Sequence, residues 1–318
     1  MSLIRLFIAA LIHKLPGSSL YLRLWVISSL FTLSLSATAS DAILVIQDSN
    51  NDAAEEIVLT FSQQLISKSI KIDVLDLSTQ TFPDNNDIQA YSAIVTIGTH
   101  AAEVTLNKNP PIRSLSLLVS KQSWTILTQQ KTSNQRSAIL LDQPVSRQFH
   151  LIRELFGNDN NIGLLLGPYS ASLETEIIAS ARQLQQKITI KTIHNSDELI
   201  PVLGNLSDSV DLLLAEPDPV VYNKRSIQGI LLLTYRSKTP VIGFSQAYSR
   251  AGAMVSLYSS TDDIAKQAVE IILDQSTNDH LYDPKYFTIT FNQQVARTLG
   301  ISPPDEKKLI EQINQKEK

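Results

Sequence analysis

Six short polar runs carry the side chains best suited to contact a small molecule. They are Gln47-Asp48-Ser49-Asn50, Gly98-Thr99-His100, Asp142-Gln143, Gly167-Pro168-Tyr169-Ser170, Glu216-Pro217-Asp218, and Ser245-Gln246 with Tyr248 and Arg250. Each follows an apolar run of the kind that makes a buried strand, and open α/β sheets place ligands beyond the carboxyl ends of their strands. The candidate ligand-binding residues are therefore Asp48, Ser49, Thr99, His100, Tyr169, Ser170, Glu216, Asp218, Ser245, Gln246, Tyr248 and Arg250. Tyr169 and Tyr248 offer aromatic faces and Arg250 a guanidinium, which suit an amino acid or a related small anion. Caps and turns use the same residue types, so loop packing is the competing reading at every one of these positions.

Covalent chemistry finds no matching constellation. The histidines, His13, His100, His150, His194 and His280, are scattered, and no pair has metal-ligand spacing. There is no Gly-x-Ser-x-Gly elbow to present a serine nucleophile. Gly98, Gly163 and Gly167 are isolated, whereas a phosphate cradle needs clustered glycines at a helix start. The carboxylate pairs Glu55-Glu56 and Asp262-Asp263 stand where helices are expected to begin, and there the helix dipole is reason enough for them. Cysteine is absent, which excludes disulfides, thiolate metal sites, a cysteine nucleophile and an amino-terminal lipidated cysteine. The reading is a non-enzyme with no catalytic residue, metal or cofactor.

The elements that must position the polar runs alternate as strand and helix, the pattern of a mostly parallel sheet covered by helices. Strands are expected at 42–47, 70–75, 93–97, 115–119 and 138–141, with a helix after Asp52, another after Gly98-Thr99-His100, and loops at Pro110-Pro111 and 129–136. A second series starts with a helix at 144–156, whose apolar face is Phe149, Ile152, Leu155 and Phe156. Strands at 162–166, 188–193, 210–215 and 241–244 follow, with helices at 171–186, 197–205 and 223–235 between them. Ser245 to Gly252 reads as a polar loop, 253–258 as a strand, and the segment after it as a capped helix; 287–291 is a late strand and 303–316 a charged terminal helix. Two such series of about 100 residues each predict two similar lobes.

The chain has 318 residues, 43% of them hydrophobic, a formal charge of −4 and a pI near 5.8. No Lys/Arg cluster interleaves with aromatic residues, so nucleic acid is not an expected partner. Residues 1–39 carry Arg5, Lys14 and Arg23 but no acid, then an almost wholly apolar run at 24–35 and the small-residue pattern Ala37-Thr38-Ala39. That order is the signature of a cleavable secretory signal, with cleavage after Ala39 and a periplasmic destination. The apolar run of 12 residues is short of the ~20 a spanning helix needs. The leader holds three of the 27 basic residues and none of the 31 acidic ones, so the remainder has a net charge of −7.

Several stretches together resemble a known family. They are Asp142-Gln-Pro-Val-Ser-Arg-Gln, Gly163-Leu-Leu-Leu-Gly-Pro, Val220-Val-Tyr-Asn-Lys-Arg-Ser-Ile-Gln-Gly-Ile-Leu-Leu, Pro240-Val-Ile-Gly-Phe-Ser-Gln-Ala-Tyr-Ser-Arg-Ala-Gly-Ala and Leu257-Tyr-Ser-Ser. These are similar to the ABC transporter substrate-binding proteins of the tryptophan- and tyrosine-binding type, most strongly over 142–275. The resemblance implies a type I periplasmic-binding fold, with two Rossmann-like lobes, three crossings of a hinge and a small-molecule ligand closed between the lobes. It implies a membrane permease of an ABC transporter as partner. On that topology lobe one is 40–141 with a returning segment at roughly 246–284, and lobe two is 142–245 with roughly 285–318. The first lobe departs from the family pattern: strand one ends in Gln47-Asp48-Ser49-Asn50, and the loop after Leu117-Leu-Val lacks the family's Asp-Pro and Thr-Gly elements. That departure keeps open a sensor or accessory subunit docking on a membrane receptor or kinase, and, third, an exported α/β enzyme.

Overall fold

The structure, a computed structural model, describes residues 42–48, 52–129, 135–274 and 280–317. The expected leader and Ser49 lie outside the described residues. No helix among the described residues is long and apolar enough to cross a membrane.

The first half of the chain begins with β1 (Ile43–Gln47), α1 (Asp52–Ile66), β2 (Ile72–Asp76), α2 (Asn85–Ile88), β3 (Ala93–Ile97) and α3 (Thr99–Lys108). It continues with β4 (Ser114–Val119), α4 (Lys121–Thr128) and β5 (Arg136–Leu140). The second series is α5 (Val145–Phe156), β6 (Asn161–Leu166), α6 (Glu174–Gln183), β7 (Lys187–Thr192), α7 (Leu199–Ser207), β8 (Leu212–Leu214), α8 (Ile227–Arg236) and β9 (Val241–Gly243). Then come α9 (Gln246–Ala251), β10 (Val255–Tyr258), α10 (Thr261–Leu273), β11 (Leu281–Tyr282), β12 (Thr288–Phe291), α11 (Gln293–Thr298) and α12 (Glu306–Lys316).

Two six-stranded sheets result, in the orders β11-β5-β4-β3-β1-β2 and β12-β10-β9-β8-β6-β7. Every recorded pairing is parallel except that of β12 with β10. Strands covered by helices on both faces are mostly apolar, and β3 (AIVTI) is buried at every position. The edge strand β7 (KITIKT) instead exposes Lys187 and Lys191, which discourages pairing with another chain. In the first lobe, Ile57, Phe61 and Leu65 of α1 share a core with Ile264, Ala268 and Ile272 of α10 and with β1, β3 and β4. In the second, Phe149 and Ile152 of α5 pack with β6, β10, β12 and the terminal residues Leu309 and Ile313.

Three local expectations need correction. The polar run after β9 is the short helix α9: Ser245 stands at its start in extended geometry and Gly252, at φ +126°, ends it where a side chain would be strained. The stretch 129–136, expected as a loop, ends inside β5, where Arg136 is buried. The chain returns to the first sheet later than residue 246, because β10 hydrogen-bonds to β9 of the second sheet. The returning segment is α10, which packs on α1, followed by β11, which pairs with β5.

The chain thus passes between the sheets after β5, after β10 and after β11, and these three passages are tied together. Gln143 Nε2 donates to Ser259 Oγ (2.9 Å), and Ser259 donates to the Tyr286 carbonyl (2.7 Å). Arg147 Nη1 donates to Gln143 Oε1 (2.9 Å) and to the Pro284 carbonyl (2.7 Å). The same guanidinium forks onto Glu317, Nε to Oε1 at 2.7 Å and Nη2 to Oε2 at 2.8 Å, and lies over the Phe287 ring at 4.4 Å.

Candidate functional site

Parallel strands of both lobes end in short turns that start helices, and the named side chains sit on those turns. In the first lobe Gly98 has φ +96°, a conformation that favours glycine, and turns β3 into α3. Thr99 and His100 open that helix, both exposed. His100 Nδ1 lies 3.3 Å from Asp48 Oδ2 at the end of β1. β4 ends in a bulge in which Leu118 takes a left-handed φ of +55°, and Ser120 then caps α4 by accepting from the Ser123 N–H. This brings Lys121 to the first position of α4, where its N–H donates to Asp142 Oδ2 at 2.6 Å.

Lys121 also reaches the other lobe. Its ammonium is 2.5 Å from Glu176 Oε2, near the start of α6. Both side chains are about two-fifths exposed, so solvent screening keeps this pair to at most ~1 kcal/mol. Its interest is geometric: it joins the polar ends of the two sheets.

In the second lobe Asp218 organises the loops. Its Oδ2 accepts from the Tyr169 N–H, the Ser170 N–H and the Ser170 hydroxyl, and its Oδ1 from the Val220 and Val221 N–H groups, at 2.8 to 3.3 Å. Gly167 must be glycine here, because a Cβ would stand 2.6 Å from the Asp218 carboxyl group. Asp218 and Ser170 were candidate ligand residues. In the structure both serve the loop architecture: the carboxylate is buried and both its oxygens receive the chain's own donors.

Glu216 receives no backbone donor. It follows β8, is 3% exposed, and its Oε1 has no hydrogen-bond partner within the chain. Burial pushes its carboxyl up to about 8; the Gln148 amide opposes the rise, and the negative charges of Asp142 and Glu176 add to it. Gln148, on α5, is also buried, and its Oε1 is likewise unpartnered. Asp142 is raised as well, by burial first and against the Lys121 N–H. A buried acceptor without a donor costs about 1–3 kcal/mol, so two side by side mark a place that wants hydrogen-bond donors.

Beside them, Tyr222, Phe244 and Tyr248 pack edge to face and tilted, with ring centroids 4.5 to 6.1 Å apart. The phenol oxygens of Tyr222 and Tyr248 are buried without partners, and Glu216 is among the groups acting on Tyr222. Tyr248 is thereby a core residue of the second lobe rather than an open loop side chain. Arg250 Nη2 donates to Gln246 Oε1 at 2.9 Å, both exposed on α9, and Ser245 is half-buried before them. Tyr169 is half-exposed and contributes its backbone to Asp218.

Of the sequence candidates, then, Glu216 stands among unpartnered groups, while Thr99 and His100 at the start of α3 and Gln246 and Arg250 on α9 are exposed. Lys121, Gln148 and Glu176 were missed. In the structure Arg147, Gln148 and His150 are buried on the helix whose apolar face was read as Phe149, Ile152, Leu155 and Phe156. A broad concavity of about 990 Å³ lies elsewhere on the second lobe, lined by His194, Asn195, Asn223 and Arg225 among others. None of its lining side chains is a buried unpartnered group, and Asn223 Oδ1 serves its own turn through the Arg225 and Ser226 N–H groups.

A family profile described as ABC transporter substrate binding protein matches residues 73–307. The chain belongs to that family. Its members bind small molecules, are not enzymes, are generally extracytoplasmic and usually work with membrane permeases. A search of curated proteins returns no match. Solved structures with the same fold include a ligand-free, open substrate-binding protein with adhesive properties from Clostridium difficile. It is 17% identical, with TM-score 0.66, over 84% of this chain and 97% of that one. A domain in complex with L-Trp from Streptococcus pneumonia is 16% identical, with TM-score 0.56, over 85% and 97%. A conserved domain protein from Vibrio cholerae is 20% identical, with TM-score 0.57, over 86% and 98%. These likenesses establish the type I periplasmic-binding architecture of two α/β lobes for this member of the family.

Proposed function

We propose that this chain is the periplasmic binding component of an ABC-type transport system, closing on a small solute between its lobes and presenting it to a membrane permease. The lobes on this reading are residues 40–141 with 261–282, and 142–258 with 285–318. The observation that carries the reading is the pair of buried, unpartnered acceptors on Glu216 and Gln148, beside a lobe-to-lobe contact between Lys121 and Glu176. A ligand that touches both lobes favours the closed arrangement by its differential affinity. Export through residues 1–39 with cleavage after Ala39 completes the reading.

The test is a single preparation. The chain recovered from the periplasm should begin at Ser40, and a panel of amino acids, amines, nucleosides, sugars and small acids should contain a compound that raises its melting temperature. At ~100 times its dissociation constant a ligand adds ~2.7 kcal/mol, a shift of several degrees or more for lobes of this size. A panel without any shift would remove the solute-binding reading and favour the accessory role that the departures in the first lobe keep open.

A further inference from the structure

We propose that the solute taken up at this cleft is a net-positive primary amine, its ammonium received by Glu216 and Gln148 in the negative field of Asp142 and Glu176. The inference rests on the binding-protein reading above and adds the chemical class of the ligand.

Three observations converge. With Glu216 ionised, its unpartnered Oε1 and that of Gln148 are both acceptors, and both residues are more than nine-tenths buried. An ammonium brings three N–H donors and no acceptor, which matches that need, whereas a hydroxyl brings one. Second, the charged groups acting on Glu216 are Asp142 and Glu176, both acidic, and the nearby Lys121 already holds Glu176. An anion would meet repulsion from these carboxylates, whereas a cation is attracted by them. Third, a metal ion is a poorer fit, because among the described residues no three His, Asp or Glu side chains could hold one. The aromatic trio of Tyr222, Phe244 and Tyr248 near Glu216 adds two buried, unpartnered phenol oxygens in largely apolar surroundings, which suit an organic ammonium better than a hydrated ion.

A cation can bind the carboxylate form only after Glu216 loses its proton. The groups facing it are Gln148 from α5, Asp142 at the crossing, Glu176 from α6 with Lys121 from α4, and Tyr222 in the loop after β8. The phenol stays neutral across the working range, since burial raises it. Affinity for an amine should therefore climb as pH rises toward about 8 and level off above it, by up to tenfold per pH unit on the rising part. Binding at pH 7 should release a proton.

The experiment compares phenethylamine, 2-phenylethanol and 3-phenylpropionate, with putrescine as an aliphatic amine, by thermal shift and calorimetry on the exported chain and on E216Q. Expected are stabilisation by at least one of the two amines only, proton release with the pH profile above, and at least a tenfold loss of amine affinity in E216Q with a flat profile. Binding of the alcohol or the acid in place of the amines overturns the inference and leaves the binding-protein reading standing. So does amine binding that E216Q does not weaken, or a hit found only among neutral or anionic solutes of the wider panel. Silence from every compound overturns both. Should E216Q fail to fold, proton release and pH dependence in the natural chain decide the matter alone: amine binding without them sinks the proposal.

Discussion

Replacing Asp218 with alanine should destabilise the chain by roughly 3–5 kcal/mol, seen as a lower urea midpoint with an unchanged slope. Four N–H groups and a hydroxyl converge on this one buried carboxylate, and hydrogen bonds to a charged acceptor contribute about 1.5–3 kcal/mol each before partial relaxation. Asparagine keeps the shape but points an N–H₂ group at some of those donors, so Asp218→Asn should recover only part of the loss. Gly167 faces the same carboxylate, which leaves the loops after β6 and β8 little room to close over a smaller side chain. A cost below ~1 kcal/mol for Asp218→Ala would show that water replaces the carboxylate easily, and would return this residue to the ligand candidates.

Arg147→Ala should cost a similar ~3–5 kcal/mol, because it strands Glu317 and opens the join between the three passages. The guanidinium is 5% exposed, and its planar fork satisfies a carboxylate, a side-chain amide and a carbonyl at once. Lysine cannot reproduce that geometry, so Arg147→Lys should remain well below the natural chain in stability. Removing both partners should cost less than the sum of the single losses, since neither charge is then left alone. A double-mutant cycle with Glu317→Ala measures this directly, and a coupling near zero would mean the two groups act independently.

Much of the fold could be read in the chain because fully covered parallel strands write themselves as continuous apolar runs. The stretches Ala93–Ile97 and Asn161–Leu166 are buried at every position and apolar but for Thr96 and Asn161. The late antiparallel strand was equally plain: Thr288–Phe291 alternates half-buried and buried positions, as a strand with two unlike faces must. What stayed hidden was short or long-range. The helix Gln246–Ala251 spans fewer than two turns, too little for a 3.6-residue period to emerge, and β11 is two residues paired with the distant β5. The grouping of Lys121, Asp142, Gln148, Glu176 and Glu216 joins residues up to 95 positions apart, and it exists only once two sheets have been laid out. Sequence placed polar residues at strand ends correctly but had no means of telling Asp218, saturated with backbone donors, from Glu216, two positions earlier and without any backbone donor. That difference arises from which backbone N–H groups the neighbouring loop happens to aim.

The row of cross-linked passages between the sheets limits the degrees of freedom left to the lobes. A single connecting strand would allow swivel, tilt and shear, whereas three, held side by side through Gln143, Ser259 and Tyr286, resist all but bending about the line that joins them. On the binding-protein reading, opening and closing then reduce to one coordinate. The separation between Lys121 and Glu176, on opposite sides of that line, is a natural ruler for it: one pair of labels at these positions should read out the whole motion.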